Sequence, residues 1–209
     1  WEVSADKLTW TFTLRDGLAW HDGKPVTSED VIPSIKRWAA RDAMGGKMVA
    51  AIREFRAVDA RTFQFVLGEP FGQVIEALAK PSGVPAFIMP KRVAEADPFK
   101  QIEDHIGSGP FLLKRDEWKP GEKPVYLKNP DYRPRAEPAS GLAGGKVVTL
   151  DRVEWVWIPD TETQINALLR GEIDMVESVN HDSLVLLEKD KGVRVIKGKA
   201  SNQYAFRPN

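Results

Sequence analysis

Large apolar residues alternate with threonine over residues 8–14, which is the two-residue period of a strand that buries one face. The same alternation recurs over residues 62–67. Residues 153–158, with the sequence VEWVWI, are rich in the branched and aromatic side chains that favour strands. Shorter strands are predicted at residues 111–114, 125–128, 173–176 and 193–196.

Apolar residues at three- and four-residue spacing predict a helix after residue 27, with Val31 and Ile35 on its buried face. Thr27 and Asp30 have the spacing of a capping box at its start. Pro33 lies beyond the first turn, where its missing N–H costs a hydrogen bond, so we expect the helix to start later or to kink. Further helices are predicted at residues 71–79, 90–96, 162–169 and 183–189.

Strands and helices interleave along the chain, which predicts an α/β fold of the mixed α+β kind. The order strand, helix, strand over residues 150–176 predicts a crossover unit in a mixed sheet. Both ends of the sequence have the pattern of strand interiors rather than of loosely held termini. We therefore expect the chain to be a piece of a longer protein.

Composition and charge exclude several classes of protein. The chain has 209 residues, enough for one large or two small domains, and 30 basic residues balance 30 acidic ones. Each half is also close to neutral, so the basic stripe typical of a nucleic-acid-binding protein is missing. No apolar run approaches the length of a membrane span. The absence of cysteine excludes disulfides, thiolate zinc sites and a cysteine nucleophile.

The glycine-rich motifs do not fit the chemistry that they superficially suggest. The sequence GLAGGK at residues 141–146 is preceded by Ser140 where a phosphate-binding loop needs glycine, and followed by Val147 where it needs serine or threonine. The sequence GSG at residues 107–109 lacks the further glycines of a dinucleotide-binding loop or a hydrolase elbow. We expect it to mark a close backbone approach in a sheet instead.

Each of the three histidines, His21, His105 and His181, adjoins an aspartate. Their turn-like surroundings and wide separation favour turn chemistry and surface hydrogen bonding, with metal binding or general-base work as the alternative. The sequence therefore predicts no catalytic residue, no metal site and no cofactor.

Four tryptophans lie in predicted strands or near turns: Trp10, Trp20, Trp155 and Trp157. We expect these large side chains to lie in the core, where they bury the most apolar surface. Stacking against a ligand in a cleft is the alternative.

Five motifs in order along the chain together resemble one protein family. They are the opening residues 1–31, GSGPFLL at 107–113, WKPG at 118–121, NPDY at 129–132, and IPD at 158–160 with ALLRGEID at 167–174. They resemble the extracellular solute-binding proteins of family 5, the peptide/nickel-type binding proteins of ABC importers.

The resemblance implies a two-lobed clamshell that holds its ligand between the lobes. It implies that this chain contains a lobe like that of a type II periplasmic binding protein, with a mixed sheet and an extra α+β subdomain, and that the second lobe is absent. Residues 1–106 correspond to the extra subdomain, and residues 107–209 to the middle segment of the first lobe, ending near the hinge.

The resemblance also implies a function without catalysis. The protein would capture a small solute, foremost a peptide or peptide-like compound, and deliver it to the permease of an ABC transporter, which would be its one link to the membrane. It would act in the periplasm, or lipid-anchored at the surface of a Gram-positive cell, with no nucleic-acid partner. A sensory or regulatory ligand-binding module on the same fold and a hydrolase are the alternatives.

By position, the resemblance implies six ligand-facing residues: Met44, Lys47, Glu177, Ser178, Asn202 and Tyr204. Lys47 and Met44 are expected in a loop around Gly45 and Gly46 that follows the first long helix. Solvent-facing loop positions are the alternative for Lys47, Glu177 and Ser178. A place in the core is the alternative for Met44 and Tyr204.

Overall fold

The computed structural model describes residues 1–80, 83–141 and 143–198, which fall into two compact units. The first unit is Trp1–Trp155, and the second begins at Val156. The strands are β1 (Glu2–Val3), β2 (Thr9–Thr13), β3 (Ile52–Ala57), β4 (Thr62–Leu67), β5 (Phe111–Leu113), β6 (Val125–Lys128) and β7 (Arg152–Glu154). The helices are α1 (Ser28–Ala39), α2 (Ala43–Ala51), α3 (Val74–Leu78), α4 (Lys91–Ala94), α5 (Thr161–Leu169) and α6 (His181–Lys189). Among the described residues, no helix is long and apolar enough to cross a membrane.

The first sheet is antiparallel, with the strand order β1-β2-β4-β3. Its register places Phe12 opposite Phe63, and their rings stack with centroids 5.1 Å apart. Phe65 is completely buried and lies 5.2 Å from both Phe12 and Phe55. Aromatic residues at alternating positions therefore build one apolar face of the sheet, as the sequence pattern of β2 and β4 predicts.

Helices α1 and α2 contribute their apolar residues to the same core as this sheet. The buried cluster comprises Val31, Ile35, Trp38, Met48, Ala51, Phe63, Phe65, Leu67, Val74 and Ala77. The residues contributed by α1 recur at three- and four-residue spacing, so the predicted helical face is the one that is buried.

A buried carboxylate holds the start of α1. Asp30 is 8% exposed, and its Oδ2 accepts the backbone N–H of Thr27 at 2.8 Å, as the predicted capping box requires. The same oxygen accepts Trp20 Nε1–H at 3.4 Å, and Oδ1 accepts the backbone N–H of Lys91 at 2.7 Å. Asp30 thus joins the turn around Trp20, the first turn of α1 and the start of α4.

Of the two alternatives stated for Pro33, the late start of α1 is wrong, and the kink stays a prediction. The helix begins at Ser28 and runs through Pro33 to Ala39. The capping box and the burial of Ile35 and Trp38 beyond Pro33 outweigh the one hydrogen bond that the proline cannot make.

Two elements near the middle of the first unit were not predicted. Helix α2 contains Gly45 and Gly46, whose sequence favours a loop, so the expectation of a loop there is wrong. Strand β3 lacks a two-residue period because its pairing with β4 is irregular between Ile52 and Glu54. An irregularity of this kind changes which face the side chains point to, and the alternation in the sequence is lost.

The second sheet is antiparallel, with the order β5-β6-β7 and Val125 fully buried. The mixed helix-and-sheet class is confirmed, whereas the crossover unit is not found: every strand pair in the described residues is antiparallel. The predicted strands at 173–176 and 193–196 do not form. Neither has a paired backbone among the described residues, and a strand needs such a partner for its N–H and C=O groups.

The tryptophan predictions have mixed outcomes. Trp20 is 4% exposed, and Trp10 packs half-buried against the core, as expected. The prediction of core positions for Trp155 and Trp157 is wrong in this structure, since they are 57% and 72% exposed. Strand β7 ends at Glu154, so the alternation that suggested burial continues past the residues that pair.

Replacing Asp30 by alanine is expected to lower the free energy of unfolding by about 3 kcal/mol, because the N–H donors of Thr27, Trp20 and Lys91 lose their acceptor. The neighbouring Glu29 provides a matched control in the same helical turn, since its side chain is 65% exposed in its pair with Lys91. Glu29→Gln should change stability by less than about 0.5 kcal/mol. Urea denaturation measures both, and equal effects would contradict the role given to Asp30.

Candidate ligand-binding site

Two of the predicted ligand-facing residues, Met44 and Lys47, lie on α2 rather than in a loop. The side chain of Met44 is half-buried and packs against the core, whereas Lys47 is exposed. Met44 thus packs against the core, which was the alternative stated for it. Lys47 faces solvent, as its alternative stated, but from a helix and not from a loop.

Asp42 fixes the N-terminus of this helix. Its Oδ1 accepts the backbone N–H groups of Met44 at 3.0 Å and Gly45 at 2.8 Å, and its Oδ2 pairs with the ammonium of Lys80. The side chain of Asp42 is only 8% exposed. The hydrogen bond from Lys80, and then those from the backbone, hold the pKa of Asp42 below its ordinary value.

Gly45 lets α2 pack closely on α1. A Cβ at Gly45 would lie 2.9 Å from Cζ3 of Trp38 and 3.0 Å from Cα of Ala39, so any side chain there would force its neighbours to shift. Met48, one turn further along, is completely buried. The end of α2 that carries Met44 and Lys47 is therefore held by a cap, an ion pair and tight helix packing together.

Neither Asp42 nor Lys80 was among the residues predicted from the sequence. An aspartate directly before a short apolar run is a signal for a helix cap, and this signal could have identified Asp42. Lys80 follows α3 and is distant in sequence, so nothing in the local pattern links it to α2.

Glu177 and Ser178 belong to the second unit and lie in an irregular segment between α5 and α6. Both are exposed. The segment lies between two capped helices, because Asp160 accepts Thr163 N–H at 2.7 Å at the start of α5 and Asn180 accepts Ser183 N–H at 3.0 Å at the start of α6. Asn202 and Tyr204 lie outside the described residues.

A histidine joins the turn that precedes α1 to the segment that precedes β5. The ring of His21 contacts the backbone of Gly107 and Gly109 through both of its nitrogens. The close approach predicted at Gly107 is present: a Cβ added at Gly107 would lie 3.1 Å from Cε1 of His21. The neighbour is this ring and not a neighbouring strand. Asp22 accepts the backbone N–H of Lys24 at 3.2 Å, as in the predicted turn.

An open groove of about 540 Å³ lies on the first unit, between α1 and the segment that starts at α4. Its walls include Pro33, Lys36 and Arg37 from α1, and none of Met44, Lys47, Glu177 and Ser178, the four predicted ligand-facing residues that the structure describes. In the part of the chain that the structure describes, no three His, Cys, Asp or Glu side chains lie close enough to hold a metal ion.

Comparison with known families identifies the class of protein. Residues 1–209 match the family described as bacterial extracellular solute-binding proteins, family 5, middle region. The chain belongs to this family.

Curated relatives carry matching names. The chain is 42% identical over 197 residues to the "Probable peptide ABC transporter periplasmic-binding protein y4tO" of Sinorhizobium fredii, covering 93% of this chain and 36% of that protein. It is 29% identical over 212 residues to the "Periplasmic oligopeptide-binding protein OppA" of Salmonella typhimurium, covering 91% of this chain and 36% of that protein. The chain thus spans little more than a third of these relatives.

Solved structures show the same fold. The binding protein AgaA of A. tumefacien R10, in complex with agropinic acid, matches with a TM-score of 0.66 and 29% identity over 91% of this chain and 36% of that one. DppA of Helicobacter pylori, in complex with the peptide STSA, matches with a TM-score of 0.65 and 26% identity, covering 91% of this chain and 39% of that one.

The Asp42–Lys80 pair should make stability depend on pH. Because the folded state lowers the pKa of Asp42, its stabilisation is present above the unfolded pKa of about 3.9 and is lost as the pH falls through the lower folded value. Between about pH 5 and pH 2, the unfolding temperature of Asp42→Asn should therefore fall less than that of the unaltered protein.

Lys80→Met should reproduce most of this flattening, since the hydrogen bond from Lys80 is the first cause of the lowered pKa. Glu69→Gln, at an exposed position, serves as the control and should leave the pH profile unchanged. Thermal scans by circular dichroism measure the profiles, and an Asp42→Asn profile parallel to that of the unaltered protein would contradict the assignment.

Proposed function

We propose that this chain is part of the solute-binding component of an ABC importer, which captures a peptide or peptide-like compound and delivers it to a membrane permease. The observation that carries the proposal is the 42% identity, over 93% of this chain, to a protein named as a probable peptide ABC transporter periplasmic-binding protein. The structures of related proteins in complex with a peptide and with agropinic acid support a ligand of this kind.

In this proposal the chemistry of each predicted ligand-facing residue fits a group that peptides carry. An ammonium such as that of Lys47 suits a carboxylate, and a carboxylate such as that of Glu177 suits an amino group. The flexible thioether of Met44 adapts to ligand side chains. Ser178, Asn202 and Tyr204 provide hydrogen bonds, which fix the orientation of a ligand in a largely apolar site.

The proposal includes no chemical step. Binding, closure of the lobes on the ligand and release to the permease suffice for transport. We place the protein in the periplasm, or lipid-anchored at the surface of a Gram-positive cell, because the relatives are named as periplasmic binding proteins. Its partners are then the ligand and the permease.

The full-length protein is expected to unfold at a higher temperature in the presence of a mixed pool of di- to pentapeptides. At a ligand concentration 100 times the dissociation constant, stabilisation amounts to about 2.7 kcal/mol. Differential scanning fluorimetry measures the shift, with the same peptides acetylated and amidated at their ends as a control for charge recognition. A flat response to peptides, amino-acid conjugates and metal chelates alike would overturn the proposal, as would hydrolysis of the peptides.

Lys47→Met in the full-length protein should weaken binding of a peptide with a free carboxylate by about tenfold or more, because a charge-assisted hydrogen bond is lost. Lys146→Met is the matched control, since Lys146 is also exposed and is not a predicted ligand contact. Isothermal titration calorimetry compares the two variants. Equal affinities would remove Lys47 from the proposed site and leave the family assignment intact.

A further inference from the structure

Both ring nitrogens of His21 are engaged by one short backbone segment. Nδ1 accepts the N–H of Gly107 at 3.3 Å, and Nε2 lies 3.1 Å from the carbonyl oxygen of Gly109. The backbone N–H of His21 also donates to the Gly107 carbonyl at 2.9 Å. Since a nitrogen that accepts carries no proton, the two contacts together require the tautomer with its proton on Nε2, which donates to Gly109.

We call the two contacts of the His21 ring, with Gly107 and with Gly109, the His21 clamp. The segment that it holds leads directly into the second sheet. Gly109 precedes Pro110 and the first residue of β5, and its carbonyl also accepts the side-chain N–H of Asn129 at 3.1 Å. The backbone N–H of Asn129 donates to the Pro110 carbonyl at 2.9 Å. The entry to β5 is thus held from one side by His21 and from the other by the residue that follows β6.

On its other side, His21 is connected to the first sheet and its helices. The preceding residue, Trp20, donates its indole N–H to the buried carboxylate of Asp30 at 3.4 Å. The backbone N–H of Trp20 also donates to the Lys24 carbonyl at 2.8 Å, which closes the turn. Hydrogen bonds on both sides, joined by the peptide bond between Trp20 and His21, therefore connect the start of α1 to the start of β5.

Other contacts across this junction are weaker. Arg92 bridges Asp104 at 3.0 Å and Asp22 at 3.8 Å, but its side chain is half-exposed, and exposed ion pairs contribute little to stability. Arg15 donates to the Arg133 carbonyl at 2.7 Å from an exposed position. Among these contacts, the His21 clamp combines partial burial with two directional bonds and a close glycine contact.

We propose that His21 is a positioning residue for ligand binding: within the first unit, its ring fixes the part that contains the first sheet, α1 and α2 relative to the β5–β7 sheet. The proposal rests on the proposed function, since it takes Met44 and Lys47 on α2 as ligand contacts. A site whose parts are held in place before binding loses less free energy on ordering when the ligand arrives. Loosening the junction lowers affinity even though His21 does not touch the ligand.

Two substitutions in the full-length protein each keep half of the clamp. In His21→Asn, the side-chain oxygen takes the place of Nδ1 and accepts from Gly107, but the bond to Gly109 is lost. In His21→Gln, the side-chain nitrogen takes the place of Nε2 and donates to Gly109, but the bond to Gly107 is lost. Each variant should bind a peptide about three- to tenfold more weakly, and His21→Leu, which loses both bonds, more weakly still.

Lys24→Gln is the control from the same turn, because the Lys24 side chain is 70% exposed. Its affinity for the peptide should match that of the unaltered protein. Affinities of His21→Asn, His21→Gln and His21→Leu that all equal the control value would overturn the positioning role. A loss in His21→Leu without partial rescue in either half-clamp variant would overturn it too.

A spectroscopic measurement tests the clamp independently of ligand binding. Long-range ¹⁵N–¹H correlation of the histidine rings in the full-length protein should show His21 protonated on Nε2 and unprotonated on Nδ1 at neutral pH. An Nδ1-protonated ring, or exchange between the two tautomers, would contradict the geometry. If the unaltered protein binds no peptide while this signature is present, the proposed function fails and the clamp stands.

Discussion

The buried carboxylate of Asp30 is the interaction on which the first unit most depends. A charge that is 8% exposed is costly unless donors surround it, and Asp30 is surrounded by donors from three places in the sequence. Thr27 supplies the helix cap, Trp20 an indole N–H, and Lys91 a backbone N–H. One side chain thereby fixes where α1 begins, where the preceding turn lies and where α4 starts.

This constraint extends to both ends of the unit. Through α1, it sets the surface on which α2 packs. A side chain at Gly45 would push against the ring of Trp38 and force it to shift. Through Trp20 and His21, it reaches Gly107 and the entry to β5. Residues far apart in sequence are thus brought into one hydrogen-bonded framework that supports the end of α2 and the second sheet. The second unit, from Val156, has its own capped helices, α5 and α6.

The sequence predicted well those features that arise from local periodicity and capping. The alternation in β2 and β4, the buried face of α1, the Thr27–Asp30 box and the helices α5 and α6 follow from neighbouring residues alone. Helix α2 and strand β3 were not predicted. Two glycines weaken the helical pattern of α2, which left Asp42 as its one local signal, and an irregular pairing disrupts the alternation of β3. The strands expected at 173–176 and 193–196 required a partner that no local pattern supplies.

For the binding site, the sequence alone identified the family through its motifs but not the geometry around the residues. Met44 and Lys47 lie on a capped helix, and Glu177 and Ser178 lie exposed between two helices. The Asp42–Lys80 and His21–Gly107 contacts join residues 38 and 86 positions apart. Such contacts depend on the tertiary fold, so local sequence patterns do not reveal them. The ligand-binding role of Met44, Lys47, Glu177 and Ser178 depends on the family resemblance and stays a prediction.

The proposed function is the capture of a peptide-like solute that the full-length protein leaves chemically unchanged. Mass spectrometry of the small molecules that copurify with the full-length protein tests this most directly. The account predicts peptides or peptide-like compounds that are released on denaturation and bind again in unaltered form. Copurifying molecules of an unrelated class, or conversion of the added compound into products, would contradict it.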